Sequence, residues 1–284
     1  MNTLRTVTAN QITETVKNLF LDANRYIGKD VTDKFLQYQA LEASPVGRTV
    51  LDQLLENNRI AADDKVPICQ DTGMCVVFVD LGQDVHITEG DFESAINEGV
   101  RQAYEQGYFR KSVVGEPLFR RTNTKDNTPA VIHTRIVPGD KVHIMVTAKG
   151  FGSENMSALK MLVPADGIEG VKKFVLETVK NAGPNPCPPI ILGIGIGGTF
   201  EQAALLAKRC TTRPLDQDNP DPRYAELEKE LLEKINGLGI GPAGIGGNTT
   251  ALKVSIDYTA THIAGLPVAV NICCHAARHA ERTI

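Results

Sequence analysis

The sequence predicts a mixed α/β fold with a helical N-terminal third, followed by mixed strands and helices. Two observations support this prediction. Apolar residues recur at helical spacing from residue 9 to about residue 61, and β-branched runs then alternate with amphipathic segments. The 284 residues are 42% hydrophobic and 23% charged, which is typical of a globular chain with a sizeable core. We therefore predict one domain over residues 1–284, with residues 1–61 as a helical subregion.

Three amphipathic helices are expected in the N-terminal third. Residues three or four apart share one face of a helix, so each apolar stripe predicts a helix with one buried face. The stripes consist of Ile12, Val16, Leu19 and Phe20, of Phe35, Tyr38 and Leu41, and of Val50, Leu51, Leu54 and Leu55.

Strands and helices are predicted in alternation over the remaining two thirds. The β-like runs are residues 75–79, 130–137, 142–147, 189–194 and 266–271. The helical segments are residues 91–106, 170–181, 200–209 and 223–235. The turn Pro138-Gly139-Asp140 predicts that the strands on either side of it pair as a hairpin.

Charge and hydropathy argue against nucleic-acid and membrane partners. The chain carries 30 basic and 34 acidic residues, a net charge of −4, and no Lys or Arg run forms a basic stripe. No apolar run approaches the roughly 20 residues that span a bilayer, and the N-terminus lacks a signal-peptide core. We expect a cytoplasmic protein.

The six cysteines are expected to be thiols or metal ligands, because disulfides are rare in the cytoplasm. None of them is spaced as C-x-x-C, which argues against a structural zinc finger or ribbon. Any metal site would therefore combine distant parts of the chain. The cysteines are Cys69, Cys75, Cys187, Cys210, Cys273 and Cys274.

Glycine-rich segments at residues 148–155, 192–199 and 237–248 indicate close backbone approach or positive φ. The second contains Gly193-x-Gly195-x-x-Gly198, which matches the dinucleotide-binding fingerprint of a nicotinamide dehydrogenase. That fingerprint requires a second strand with an acidic residue about 20 positions on. A polar loop stands there instead, so this alternative is weak, although a helix N-terminus could still bind an anion.

The C-terminal stretch NICCHAARHAERTI allows a zinc hypothesis. His275 and His279 would share one face of a helix, and Cys273 or Cys274 could add a thiolate ligand. The alternative is a short terminal helix with two ordinary polar histidines.

A third hypothesis places three cysteines that are far apart in the sequence in one metal site. Cys69 precedes Gln-Asp, Cys187 lies in PNPCPP, where prolines predict an extended loop, and Cys274 precedes His-Ala-Ala-Arg. Each is predicted at a strand end or helix start, where thiolate character is favoured. Three thiolates on an iron–sulfur cube would leave one iron open as a Lewis acid. The spacing alone is equally compatible with buried structural cysteines.

The motifs PICQDTG, KGFGSEN, PNPCPP, GIGGT and THIAGLPVAVNICCHAARHAE resemble those of the alpha subunit of two-subunit class I fumarate hydratases. Iron–sulfur tartrate dehydratases belong to the same superfamily. The resemblance covers nearly the whole chain and implies a face that binds an oxygen-sensitive [4Fe-4S] cluster through Cys69, Cys187 and Cys274. It assigns no ligand role to Cys75, Cys210 or Cys273.

The resemblance also implies the residues that act on substrate. Asp71 corresponds to a group next to the first ligand and is our candidate general acid, which protonates the leaving hydroxyl. The guanidinium of Arg110 would clamp a substrate carboxylate, and His262 would hydrogen-bond a substrate oxygen in the active site. The residues expected to bind substrate are Gln70, Arg110, Gly150 and Gly152.

The implied reaction is the reversible hydration of fumarate to (S)-malate. The resemblance places the base on a beta domain or beta subunit. Because the sequence stops at Ile284, we expect a separate beta chain, and an alpha2beta2 assembly active only as a whole. The alternatives are an L-tartrate dehydratase alpha subunit and a non-catalytic redox or oxygen-sensing iron–sulfur protein. The latter would need a fourth ligand, such as Cys75 or Cys273.

Overall fold

The computed structural model describes residues 4–284, so the first three residues of the predicted domain lie outside it. The chain divides into two compact units. The first runs to Ile27 and includes Asn58–Gly150 and Arg278–Ile284, whereas the second comprises Gly28–Asn57 and Phe151–Ala277. The helical subregion predicted at residues 1–61 is therefore shared between the units.

Helices and strands are interspersed along the chain, which confirms the mixed α/β class. The helices are α1 (Ala9–Arg25), α2 (Lys29–Leu41), α3 (Pro45–Asp64), α4 (Phe92–Gln106), α5 (Phe151–Glu154), α6 (Gly167–Ala182), α7 (Phe200–Cys210) and α8 (Pro222–Asn236). The strands are β1 (Arg5–Thr8), β2 (Met74–Gly82), β3 (Val85–Thr88), β4 (Val131–Val137), β5 (Val142–Lys149), β6 (Ala158–Leu162), β7 (Ile190–Gly197), β8 (Ala251–Thr259), β9 (Leu266–Cys273) and β10 (His279–Thr283). Short 3₁₀ helices occur at Pro164–Asp166 and Pro242–Gly244.

The predicted helices and strand runs are all found, but strands β1, β3, β6, β8 and β10 are additional. Strand β8 was missed because polar residues interrupt its apolar pattern although it is buried. Lys253, in the middle of β8, is buried and forms an ion pair with Asp218. A buried lysine is tolerated there because a carboxylate balances its charge.

In the first unit, α1 and α4 cover a four-stranded sheet. Thr8 and Gln11 form a capping box at the start of α1, with N–H···O distances of 3.2 Å and 2.9 Å. Gly99 of α4 permits close helix packing, since a Cβ atom on it would lie 2.6 Å from the Thr13 carbonyl oxygen. Buried residues of both helices, such as Ile12 and Tyr104, join the buried strand residues in one core.

The hairpin predicted around Pro138-Gly139-Asp140 is wrong. The strand order is β10-β5-β2-β4, and β2 lies between β4 and β5, parallel to β4 and antiparallel to β5. The turn crosses the end of β2, where Gly82 N–H donates to the Lys141 carbonyl (2.8 Å) and Gln83 N–H to the Val137 carbonyl (2.8 Å). Strand β2, most of whose residues are buried, thereby has hydrogen-bonded neighbours on both sides.

The second unit has a sheet of order β6-β9-β7-β8, with β7 parallel to β8 and antiparallel to β9. Alternate residues of β7 pack with α6 and α8, while Gly193 and Gly195 lie on the other face, against α7. A Cβ atom on Gly193 would lie 1.9 Å from the Ala207 carbonyl oxygen, and one on Gly195 2.1 Å from that of Ala203. These glycines therefore serve helix–strand packing, which accounts for them without a dinucleotide.

The third glycine-rich segment wraps around a carboxylate of the protein itself. Glu42 is buried and accepts hydrogen bonds from the backbone N–H groups of Ser44 (2.9 Å) and Asn248 (3.1 Å). A Cβ atom on Gly247, whose φ is +130°, would lie 2.6 Å from Glu42 Oε1. Burial opposes the charged form of Glu42, but these hydrogen bonds outweigh it and hold its pKa below the ordinary value.

Candidate functional site

The loop from Cys69 to Gly73 connects α3 to β2 in the first unit. Cys69 and Asp71 are half-buried and Gln70 is exposed. The Cys69 thiol lies 3.6 Å from Gln70 Oε1, and Asp71 Oδ1 accepts the Gly73 N–H at 2.9 Å, forming a local turn. Gly73 has φ +71°, and a Cβ atom on it would lie 2.6 Å from the Lys149 carbonyl group. The loop conformation therefore requires glycine at this position.

Buried polar side chains fix the backbone of this loop. The Tyr104 hydroxyl donates to the Thr72 carbonyl (3.2 Å), and Asn127 Nδ2 donates to the Gly73 carbonyl (3.1 Å). Burial raises the pKa of Tyr104 above its ordinary value, so the hydroxyl keeps the proton that it donates. Tyr104 and Asn127 were not predicted as site residues, because neither belongs to the motifs around the cysteines.

Arg110 is attached to the same loop. Its carbonyl oxygen accepts a hydrogen bond from the Thr72 hydroxyl at 3.0 Å, and its side chain is exposed. Within residues 4–284 the Arg110 guanidinium forms no ion pair with a carboxylate. The structure thus connects Arg110 to the Asp71 loop and leaves its charge available for an anionic ligand.

Gly150 and Arg278 face Asp71 in the first unit. A Cβ atom on Gly150 would lie 3.1 Å from Asp71 Oδ2 and 3.4 Å from Arg278 Nη2. Arg278 is buried, and its Nη1 donates to the Asp71 carbonyl oxygen at 2.6 Å. The absence of a side chain at Gly150 therefore lets the backbone lie close to both the Asp71 carboxylate and the Arg278 guanidinium. Arg278 belongs to the motif CCHAARHAE, but nothing in the sequence alone indicates its role.

Cys187 and Cys274 lie at the same end of the sheet in the second unit. Cys187 is exposed in the turn before β7, and Cys274 directly follows β9, which is antiparallel to β7. The His275 N–H lies 3.4 Å from the Cys187 carbonyl oxygen. The expected extended conformation of Cys187 is wrong, since its φ is +53° and its N–H contacts the Pro184 carbonyl at 3.1 Å in a turn.

Gly152 lies in α5, close to the Cys187 turn. A Cβ atom on Gly152 would lie 3.7 Å from the Asn185 carbonyl oxygen, two residues before Cys187. The second glycine of KGFGSEN is thus near one of the cysteines expected as ligands.

The six thiols fall into two groups by accessibility. Cys75, Cys210 and Cys273 are buried, whereas Cys69 and Cys274 are half-buried and Cys187 is exposed. Burial raises the pKa of Cys75 far above its ordinary value and that of Cys210 to about 12. An iron ligand must be a thiolate, and burial makes the thiolate form less favourable at these two positions. The three accessible cysteines are those that the family resemblance assigns to a [4Fe-4S] cluster, and this donor set fits the cluster.

His262 is not brought near Cys187 or Cys274. It is exposed in the loop between β8 and β9, where its Nδ1 accepts the Ala264 N–H at 3.2 Å. Strand β9 has 8 residues and runs from this loop to Cys274. At about 3.3 Å per residue, it separates the two ends by roughly 26 Å. His262 therefore lies at the opposite end of the sheet from the two cysteines of its own unit.

The zinc hypothesis for the C-terminus assumed a helix that is absent. Residues 274–278 are irregular and His279 begins β10. Among the residues described, no three His, Cys, Asp or Glu side chains are gathered as ligands of one metal ion. The three thiolates of a cluster would each bind a different iron, so their spacing differs from that around a single ion.

Comparison with known proteins adds independent information. Residues 13–283 match the family described as Fumarate hydratase (Fumerase). The chain is 45% identical over 279 residues to a putative L(+)-tartrate dehydratase subunit alpha of Methanocaldococcus jannaschii, covering 96% of this chain and 98% of that protein. It is 35% identical over 273 residues to the L(+)-tartrate dehydratase subunit alpha of Escherichia coli K12, covering 95% and 89%. In the part of the chain that the structure describes, no helix is long and apolar enough to cross a membrane.

Proposed function

The chain belongs to the fumarate hydratase (Fumerase) family, and on this premise we propose that it is the alpha subunit of an iron–sulfur hydro-lyase that hydrates fumarate reversibly to (S)-malate. The observation that carries this proposal is the arrangement around Asp71. A carboxylate stands two residues after an accessible cysteine, its backbone is fixed from several sides, and Gly150 lies beside it without a side chain.

We propose Cys69, Cys187 and Cys274 as the ligands of a [4Fe-4S] cluster. Their accessibility supports this choice over the three buried thiols. When bound, the cluster supplies an open iron that acts as a Lewis acid on a substrate oxygen. The alternative of a redox protein with four cysteine ligands is less well supported, because Cys75 and Cys273 are buried within strands.

We propose that Asp71 acts as the general acid in dehydration: it holds a proton and delivers it to the substrate hydroxyl group as that group leaves. Its Oδ1 is bound to the Gly73 N–H, whereas its Oδ2 faces Gly150. A general acid must lie within hydrogen-bonding distance of the leaving oxygen, and a fixed carboxylate with no side chain on the neighbouring Gly150 is suited to this role. In the hydration direction, Asp71 Oδ2 would accept a proton from the attacking water.

Gln70 and Arg110 are proposed to orient the dicarboxylate. The Arg110 guanidinium can donate two parallel hydrogen bonds to one carboxylate, and the amide of Gln70 can donate to a further oxygen. The backbone N–H groups of Gly150 and Gly152 would complete the binding site. We leave His262 out of this centre, because strand β9 separates it from Cys274 in the same unit.

We further propose a beta subunit as partner in an alpha2beta2 assembly. The relatives are named subunit alpha, which supports a second chain. Hydration requires a base to remove or return a proton at the carbon next to the one that carries the hydroxyl, and we assign that base to the beta chain. The alpha chain alone is therefore expected to bind the cluster but to have little activity.

Dehydration of L-tartrate is the second candidate function. The names of the relatives favour it, since both the archaeal and the bacterial protein are described as L(+)-tartrate dehydratase subunits. Tartrate differs from malate by one hydroxyl group, and the proposed roles of Asp71 and Arg110 would be the same for both substrates.

The two candidates can be separated by assembling the alpha and beta chains anaerobically and measuring kcat/KM for fumarate, (S)-malate and L-tartrate. Higher kcat/KM for fumarate and malate supports the first, and higher kcat/KM for L-tartrate supports the second. Asp71→Asn should keep iron and sulfide at the wild-type level and lower kcat by at least a hundredfold. An Asp71→Asn enzyme with wild-type kcat would remove Asp71 from the acid role.

A further inference from the structure

Arg278 is a buried cation with no role in the reaction proposed above. Its side chain is 1% exposed, which is unusual for a charged group without an acidic partner. In the described part of the chain its guanidinium forms no ion pair with a carboxylate, and its Nε has no hydrogen-bond partner. Burying a charge in this way is costly, so a specific benefit is expected from its contacts.

The contacts of Arg278 converge on the loop that contains Cys69. Nη1 donates to the Asp71 carbonyl oxygen at 2.6 Å and lies 3.3 Å from Asn24 Oδ1. Asn24 is fully buried, and its own carbonyl oxygen accepts the Ile68 N–H at 2.9 Å. Asn24 thus holds the segment at Ile68 while Arg278 holds it at Asp71. The two residues between these anchors are Cys69 and Gln70.

Arg278 is itself fixed next to Gly150. Its carbonyl oxygen accepts the Ala148 N–H at 3.0 Å, near the end of β5. Its Nη2 and Asp71 Oδ2 lie 3.4 Å and 3.1 Å from the position that a Cβ atom on Gly150 would occupy. The guanidinium therefore contacts the Asp71 backbone and lies beside Gly150, as the Asp71 carboxylate does.

We propose that Arg278 is a positioning residue that fixes the segment from Ile68 to Asp71, so that the Asp71 carboxylate faces Gly150. This inference rests on the proposed role of Asp71. The planar guanidinium directs one nitrogen at two acceptors and a second nitrogen toward Gly150. A lysine ammonium, with a single nitrogen, cannot cover both places.

The test uses the anaerobically assembled alpha–beta enzyme with Arg278→Gln and Arg278→Lys. The measurements are iron and sulfide content, kcat and KM for the preferred substrate, and amide hydrogen exchange in the peptide that covers residues 68–73. Arg278→Gln should retain the cluster, lower kcat roughly tenfold to a hundredfold and leave KM within about threefold. Exchange in this peptide should become faster, and Arg278→Lys should lie between Arg278→Gln and the wild type.

The matched control is Arg213→Lys. Arg213 also donates to a backbone carbonyl, that of Ile256 at 3.0 Å, but it belongs to the second unit and pairs with Glu228. The Arg213→Lys variant should leave amide hydrogen exchange in residues 68–73 unchanged. This comparison separates a local effect at Arg278 from general destabilisation of the chain. If Arg278→Gln does not fold, Arg278→Lys carries the same test.

Wild-type kcat in Arg278→Gln, or unchanged exchange in residues 68–73, would overturn the inference. Loss of iron and sulfide with unaltered kcat per cluster would also overturn it, because Arg278 would then serve only to retain the cluster. If the wild-type assembly has no hydro-lyase activity, the proposed function fails, whereas the exchange comparison still decides whether Arg278 fixes the segment.

Discussion

Substitution of Gly150 by alanine tests whether the lack of a side chain beside Asp71 matters for catalysis. The added methyl group would lie 3.1 Å from Asp71 Oδ2 and 3.4 Å from Arg278 Nη2. Contacts of 3.4–4 Å are ordinary, so the carboxylate must retreat by a few tenths of an ångström. Gly150 does not have the positive φ that would strain an alanine. The free energy of unfolding should therefore change by no more than about 1 kcal/mol.

Catalysis should be more sensitive than stability to this change. A displacement of about 1 Å in a reacting group can cost about a hundredfold in rate, so a shift of a few tenths predicts a roughly three- to tenfold lower kcat. The assay is steady-state turnover of the assembled enzyme, normalised to iron and sulfide content. The urea midpoint of the alpha chain is measured in parallel.

Gly115→Ala is the matched control in the same unit. A Cβ atom there would meet nothing closer than 3.8 Å, so stability and turnover should both stay at wild-type values. Wild-type kcat in Gly150→Ala would show that a side chain at this position does not disturb the Asp71 carboxylate during turnover. A loss of several kcal/mol of stability would equally contradict the local steric effect inferred from the distances.

Two further predictions concern the glycine-rich segments of the second unit. Because the folded-state pKa of Glu42 is lowered, its charge stabilises the protein above the ordinary pKa of about 4.5, and this contribution is lost as the pH falls. Glu42→Gln should lower the free energy of unfolding by about 1–3 kcal/mol at pH 7 and by less below pH 4. A loss of stability that does not depend on pH would argue against a stabilising role for the Glu42 charge. Gly195→Ala should destabilise by about 2 kcal/mol or more, because its Cβ atom would lie 2.1 Å from the Ala203 carbonyl oxygen. A thermal midpoint equal to that of the wild type would contradict the packing role.

The sequence predicted most individual elements but not how all of them pair. Residues 130–137 and 142–147 were correctly predicted as strands, because β-branched residues make up more than half of each run. Their pairing could not be read locally, since the turn between them is compatible with a hairpin and with a crossing over β2. Strand β8 was missed for a related reason, as its buried Lys253 is compensated only by the distant Asp218.

The residues of the candidate site could be predicted where they belong to recognisable motifs. Cys69, Gln70 and Asp71 adjoin in sequence and in the loop, and Arg110 is attached to the same loop. Arg278 was missed because its acceptors, Asp71 and Asn24, lie more than 200 positions away. The resemblance assigned His262 to the active site, but the eight-residue strand β9 lies between it and Cys274 in the second unit. Burial, which the sequence does not specify, separates the six cysteines into two groups.

The proposed roles of the other site residues depend on Cys69, Cys187 and Cys274 binding a [4Fe-4S] cluster. The most direct test measures iron and acid-labile sulfide per alpha chain after strictly anaerobic preparation, for the wild type and for six single Cys→Ala variants. We predict about four of each in the wild type and loss of roughly one iron in air.

Cys69→Ala, Cys187→Ala and Cys274→Ala should lose the cluster, whereas alanine at the three buried positions Cys75, Cys210 and Cys273 should not remove it. Equal iron and sulfide in all six variants, or a wild-type chain that binds zinc and no sulfide, would contradict the account.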